Sequence, residues 1–200
     1  MTERHRKNLL DPELHHDSCG FGLIANLDDL PSHWVVERAI DALVRLTHRG
    51  AVAADGKTGD GCGLLIKFPE AFLRAVGEEQ GFVLAKRFAA GTVFLSQNEA
   101  KAAEARQVIN QALADNGLEV AGWREVPVDP SVCGDQALAT MPKFEQVFVN
   151  ARDTLPRGAF NRKLFLARRR AERQLQDDET YVASLSSVTV SYKGMVMPKA

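Results

Sequence analysis

The sequence predicts a layered α+β fold, and three observations carry that prediction. Segments with a two-residue apolar alternation are mixed with segments of helical spacing, without the strict strand–helix alternation of a parallel crossover sheet. The 200 residues suffice for one domain or most of one, with 45% hydrophobic and 26% charged residues, the balance of a globular core. No internal repeat or low-complexity tract interrupts the chain.

Residues 1–18 are polar, rich in His, Arg and Glu, and carry Asp11-Pro12, which disfavours helix; they read as an unstructured leader. The leader has no apolar core of the kind a secretory signal needs. Residues 19–26 then read as a short buried strand bearing Gly20 and Gly22. Ser32 can cap a helix to about Thr47, with Val35, Val36, Ala39, Ile40, Leu43 and Leu46 at helical spacing. His48-Arg49-Gly50 ends it, with Gly50 suited to the left-handed C-terminal position.

A glycine-rich run, residues 55–63, leads into an apolar strand over 64–68, and Pro69 opens a short helix to about Val76. Residues 91–95 read as a strand. Ser96 and Glu99 have the spacing of a capping box, and the helix they open stops near Asn116-Gly117. Residues 118–126 and 144–149 read as strands, and 158–176 as a charged amphipathic helix. Residues 181–192 read as one long strand with Val188 and Val190 on one face.

The formal net charge is -1, so no general attraction to nucleic acid or to an anionic membrane is expected. No stretch approaches the ~20 apolar residues of a membrane helix. Cys19, Cys62 and Cys133 are odd in number and widely spaced, which fits neither a disulfide framework nor a metal knuckle. Reduced thiols and a cytoplasmic location are the expectation, with a small-molecule site to be found.

Cys19 stands where the leader meets a glycine-bearing segment. A free cysteine is most often a small buried apolar residue. The sharper reading is a nucleophile, which needs a base beside it. Cleavage of the Ser18–Cys19 bond would supply one, since the new α-amine has a pKa of about 7.7–8.0 and can take the thiol proton.

Three motifs in order, Cys19-Gly20-Phe21-Gly22, His48-Arg49-Gly50-Ala51 and Thr58-Gly59-Asp60-Gly61-Cys62-Gly63, resemble the start of the class II, N-terminal-nucleophile glutamine amidotransferases. The resemblance is closest to the amidotransferase domain of glutamate synthase large subunits. It continues through Met141-Pro142, Gln146 to Val149, Arg168 to Arg170, Tyr181 to Ser187 and Tyr192 to Met195. It implies a four-layer α/β/β/α fold, a leader over 1–18, and the N-terminal portion of an amidotransferase domain over 19–200, incomplete at its C-terminus.

The resemblance also implies a reaction. Cys19 attacks the side-chain amide of L-glutamine, a glutamyl thioester forms, ammonia leaves, and water releases glutamate. The ammonia then converts 2-oxoglutarate to glutamate elsewhere in the synthase. Arg49 and Gly50 match the family positions lining the glutamine pocket; an arginine at a helix end is otherwise an ordinary complement to the helix dipole. No cofactor is expected in this segment, and FMN and an iron–sulfur cluster are expected in later domains. The partners implied are the remaining synthase domains and a small NAD(P)H-oxidising subunit.

In the family a later arginine clamps the glutamine carboxylate and an Asn-Gly pair forms the oxyanion hole. Neither follows Lys193, so residues 1–200 alone are expected to show little glutaminase activity. Two alternatives stand beside this reading: another class II amidotransferase, against which the 18-residue leader argues, and an inactive fragment serving as an interaction module.

Other constellations are weaker. Gly56-Lys57-Thr58 lacks the earlier glycine of a phosphate loop, since that position is Ala51. His15, His16 and Cys19 lack a fourth metal ligand at useful spacing. Cys62 reads as a packed thiol, Cys133 follows Pro130-Ser131 in a loop without a visible partner, and the Arg162 to Arg173 cluster reads as a solvated helix face.

Overall fold

The computed structural model describes residues 20–152, 155–175 and 177–197. Five helices and six strands are arranged among them. In chain order these are α1 (His33–Arg45), β1 (Cys62–Lys67), α2 (Glu70–Glu79), β2 (Phe88–Leu95), α3 (Glu99–Asp115) and β3 (Glu119–Glu125). They continue with α4 (Asp135–Ala139), β4 (Lys143–Asn150), α5 (Arg157–Gln174), β5 (Tyr181–Ser186) and β6 (Thr189–Gly194). Four strands form an antiparallel sheet in the order β3-β4-β2-β5, and β1 pairs with β6 in a second antiparallel sheet. No helix of the described residues is long and apolar enough to cross a membrane.

The alternation of each central strand decides the layers. Val93, Leu95, Val147 and Val149 point to one face and meet Ala102, Ala105, Ile109 and Leu113 of α3 and Phe160, Leu164 and Ala167 of α5. Alanines on both helices let them approach closely while the sheet supplies the bulk. Phe88, Ala90 and Phe148 point to the other face and pack with Val190 of β6 and Leu73 and Val76 of α2. Helix α1 lies against β1. The order helix, sheet, sheet, helix is therefore the α+β layering expected from the sequence.

A polar row crosses this inter-sheet layer. Arg124, Gln146, Thr92 and Ser184 are register partners from β3 to β5. Arg124 donates from Nε and Nη2 to Gln146 Oε1 at 2.9 and 2.7 Å, and Gln146 Nε2 donates to the Tyr192 hydroxyl at 3.0 Å. Gln146 is fully buried, so its bonds tie β6 to β4 where an unpaired amide would be costly. Replacing Tyr192 by Phe is expected to destabilise the protein by about 1–2 kcal/mol by orphaning that amide. A denaturant midpoint shift read against wild type checks it.

Four local expectations are corrected. Residues 20–26 are not a buried strand: Phe21 and Leu23 are exposed, and no neighbouring strand among the described residues takes their backbone groups. Gly50 is extended (φ −99°, ψ 154°), not left-handed, because the 3-10 turn Thr47–Arg49 closes the helix before it, with Gly50 N donating to Thr47 O. The cap of α3 is Asn98, whose Oδ1 accepts from Ala100 N and Lys101 N; Glu99 turns outward to Arg106 and Lys143 instead of completing a capping box with Ser96.

The expected long strand over 181–192 is two strands in different sheets. Ser186 Oγ accepts from Val188 N and Thr189 N, and Asn161 of α5 accepts from Ser187 N and donates to Ser187 Oγ. These bonds satisfy the backbone at a corner, so the chain can cross between sheets there. Val190 is consequently buried while Val188 is exposed.

Candidate active site

The segment from α1 to β1 builds the candidate site. The last turn of α1 closes tightly, with Thr47 Oγ1 donating to Val44 O at 2.5 Å and His48 Nδ1 lying 3.0 Å from Arg45 O. This turn delivers Arg49 to the surface. Gly20 lies against it: a methyl group at Gly20 would stand 3.5 Å from Arg49 Cβ and Cγ. Cys19 and residues 1–18 lie outside the described residues, and Gly20 is the first residue described. Arg49 is exposed and makes no ion pair among the described residues. A methyl group at Gly50 would meet only Thr47 O, at 3.9 Å, leaving open space on that side.

Beyond Gly50 the chain forms a narrow ribbon. Ala51 N donates to Asp60 Oδ2 at 2.7 Å, Val52 bridges Gly59, and Ala53 N donates to Thr58 O at 2.9 Å. Asp55 closes the turn, accepting from Lys57 N and Thr58 N on Oδ1 and from the Thr58 hydroxyl on Oδ2. The Thr58 hydroxyl, followed by these backbone donors, holds the Asp55 carboxyl far below the usual carboxylate range. Lys57 N and Thr58 N, two of the amides a phosphate loop would offer, are thus already taken.

Gly61 (φ +105°) turns the chain into β1, and a methyl group there would stand 3.2 Å from Gly194 O. Cys62 and Cys133 are each partly buried, and burial pushes the Cys62 thiol up, which keeps it protonated.

Other candidates from the sequence resolve separately. Arg168 and Arg169 pair with Glu172, and Arg170 pairs with Asp115, so much of the α5 charge is balanced locally. Among the described residues no group of three or more His, Cys, Asp or Glu could hold a metal ion; His15 and His16 lie outside them. Sequence reasoning missed the five-residue helix α4 and its contact with the ribbon. The Asp55-Gly56 pair signalled a turn, yet no spacing could connect it to residues near 135.

The candidate site as described joins Gly20, the Arg49-Gly50 corner and the ribbon over 51–60 that leads into β1 of a two-sheet α+β fold. The family described as Glutamine amidotransferases class-II matches residues 19–200. The chain belongs to this family. It is 39% identical to ferredoxin-dependent glutamate synthase 1, chloroplastic/mitochondrial, of Arabidopsis thaliana, over 96% of this chain and 12% of the relative. It is 37% identical to the glutamate synthase [NADPH] large chains of Bacillus subtilis and Azospirillum brasilense, over 96% and 95% of this chain and 13% of each relative. The chain thus spans about an eighth of the length of these relatives.

Proposed function

We propose that this chain is the glutamine-hydrolysing part of a glutamate synthase, with Cys19 as nucleophile, residues 1–18 as a removed leader and residues 19–200 as amidotransferase domain. The observation that carries the reading is the contact of Gly20 with the Arg49 side chain. This close approach supports a glutamine pocket at the Arg49-Gly50 corner, since Gly20 directly follows the proposed nucleophile in the chain. The start of the family match at residue 19 supports the same boundary.

In this mechanism the α-amine of Cys19 takes the Sγ proton, and the thiolate adds to the side-chain amide carbon of glutamine. The resulting ammonium returns a proton to the departing nitrogen, the C–N bond breaks, and ammonia leaves behind a thioester. Water, deprotonated by the same amine, cleaves the thioester to glutamate. Carbonyl oxygens of the Arg49-Gly50 turn accept from the amine, leaving its lone pair for the thiol proton, and the Arg49 guanidinium donates fixed N–H groups to the bound amino acid. Gly50, without a side chain, admits the substrate backbone.

The ammonia would serve glutamate formation from 2-oxoglutarate in further domains, where FMN and an iron–sulfur cluster would supply redox chemistry, with a small NAD(P)H-oxidising subunit as a further partner.

A chloroketone analogue of glutamine tests the reading. Peptide mapping is expected to find the adduct on Cys19 alone, in a chain whose mass begins at Cys19. An adduct on Cys62 or Cys133, or an active chain retaining residues 1–18, would overturn it.

A further inference from the structure

The ribbon after Gly50 is fastened at both ends. At its base, Ala51 and Asp60 exchange two bonds, Ala51 N to Asp60 Oδ2 at 2.7 Å and Asp60 N to Ala51 O at 3.3 Å. At its tip it meets α4. Gly134 occupies the N-cap position of α4 and has no side chain to cap it. The missing caps come from the ribbon: Asp55 Oδ2 accepts from Gln136 N at 3.4 Å, and the Thr58 hydroxyl oxygen accepts from Ala137 N at 3.3 Å. The Thr58 hydroxyl hydrogen goes to Asp55 Oδ2 at 2.5 Å, so one hydroxyl joins both partners.

The fit is close. A methyl group at Gly134 would lie 2.3 Å from Asp55 Oδ2, 2.4 Å from Thr58 Oγ1 and 2.6 Å from Thr58 N. Thr58 is 3% exposed although it stands in a surface loop. Only one bridge, Val52 to Gly59, and one further bond, Ala53 N to Thr58 O, separate this junction from the base that carries Arg49 and Gly50. A ribbon this short transmits a tilt at its tip to its base. Helix α4 in turn leads directly into β4, an interior strand of the larger sheet.

We propose that Asp55, Thr58 and Gly134 form a tertiary helix cap that sets the attitude of the Arg49-Gly50 corner towards glutamine, acting as positioning residues for substrate binding. The proposal rests on the reading of Arg49 and Gly50 as the glutamine pocket. These residues touch no substrate; they fix the ribbon whose base does.

The test uses the complete processed polypeptide and steady-state ammonia release from glutamine. Thr58→Val keeps the shape and removes both hydroxyl bonds. It is expected to raise KM for glutamine about 10-fold with kcat changed less than about 3-fold, the pattern of lost binding without lost chemistry. Thr58→Ser, which keeps the hydroxyl, is expected to restore KM. Hydrogen exchange at the Ala51 and Ala53 amides should quicken in the valine variant and not in the serine variant.

A merely structural role would lower the folded fraction, and so reduce apparent kcat at constant KM. That result, or a wild-type KM in Thr58→Val, overturns the cap. Should Thr58→Val fail to fold, Asp55→Asn carries the test: its NH2 group faces hydrogen-bond donors where a carboxylate oxygen accepted from them, and the same rise in KM is expected, with an unchanged KM counting against the cap. Wild-type protein that releases no ammonia, or a Cys19→Ala chain that still does, refutes the pocket assignment itself and is distinguishable from failure of the cap.

Discussion

Cys19→Ala is expected to abolish ammonia release from glutamine, a loss of at least about 10³-fold, because no other group in the proposed mechanism can form the thioester. Cys19→Ser is expected to be severely impaired as well, since a hydroxyl is a far weaker nucleophile than a thiol near neutral pH. Cys62→Ala serves as the control. Cys62 is partly buried in β1 and its thiol is pushed up by burial, so its loss should leave ammonia release near wild type. Measured ammonia release, with glutamate counted in parallel, decides the matter. Normal release by Cys19→Ala would remove the nucleophile, and with it the role given to the α-amine.

The largest effect on stability is expected from Phe148→Ala. Phe148 is fully buried on β4, with its ring 5.4 Å from that of Phe82 and 6.5 Å from that of Phe88. Phe88 in turn lies edge-on to Phe68 at 5.3 Å. This aromatic group fills the layer between the two sheets, and neither sheet can close the gap without breaking its own ladder. Truncation therefore costs the transfer of the ring and most of a cavity, about 3–5 kcal/mol. That is a large share of the ~5–15 kcal/mol that separates folded from unfolded domains. Phe165→Ala on the exposed face of α5 is the matched control and is expected to stay within about 0.5 kcal/mol of wild type. Denaturant unfolding of both variants checks the pair; a Phe148→Ala loss below about 1.5 kcal/mol would show that the sheets repack.

Most elements of the fold were legible. Helix α3 is read from its spacing and its Asn116-Gly117 stop, where Gly117 has φ +68°. Strands β2 and β4 are read from apolar runs with turn residues on either side. The errors fall where a distant side chain competes with a local rule. Ser96 has the spacing of a capping residue, but its hydroxyl donates to Glu179, and Asn98 takes the cap. The alternation from Tyr181 to Tyr192 runs straight through a corner that Asn161 of α5 stabilises from outside the segment. Residues 20–26 have the composition of a strand, but strand formation requires a partner that composition cannot name.

The same division holds at the site. The order and spacing of the motifs at Cys19, Arg49 and Thr58 were enough to identify the family and to nominate Cys19, Arg49 and Gly50, because catalytic residue types recur at set intervals along a chain. The placing of Gly20 on Arg49, the burial of Thr58, and the capping of α4 by Asp55 from 81 residues away were decided only in three dimensions. Periodicity and local propensity reach a few residues along the backbone. Hydrogen bonds and close packing act between whatever the folded chain brings within a few ångströms, and no interval in the sequence encodes that distance.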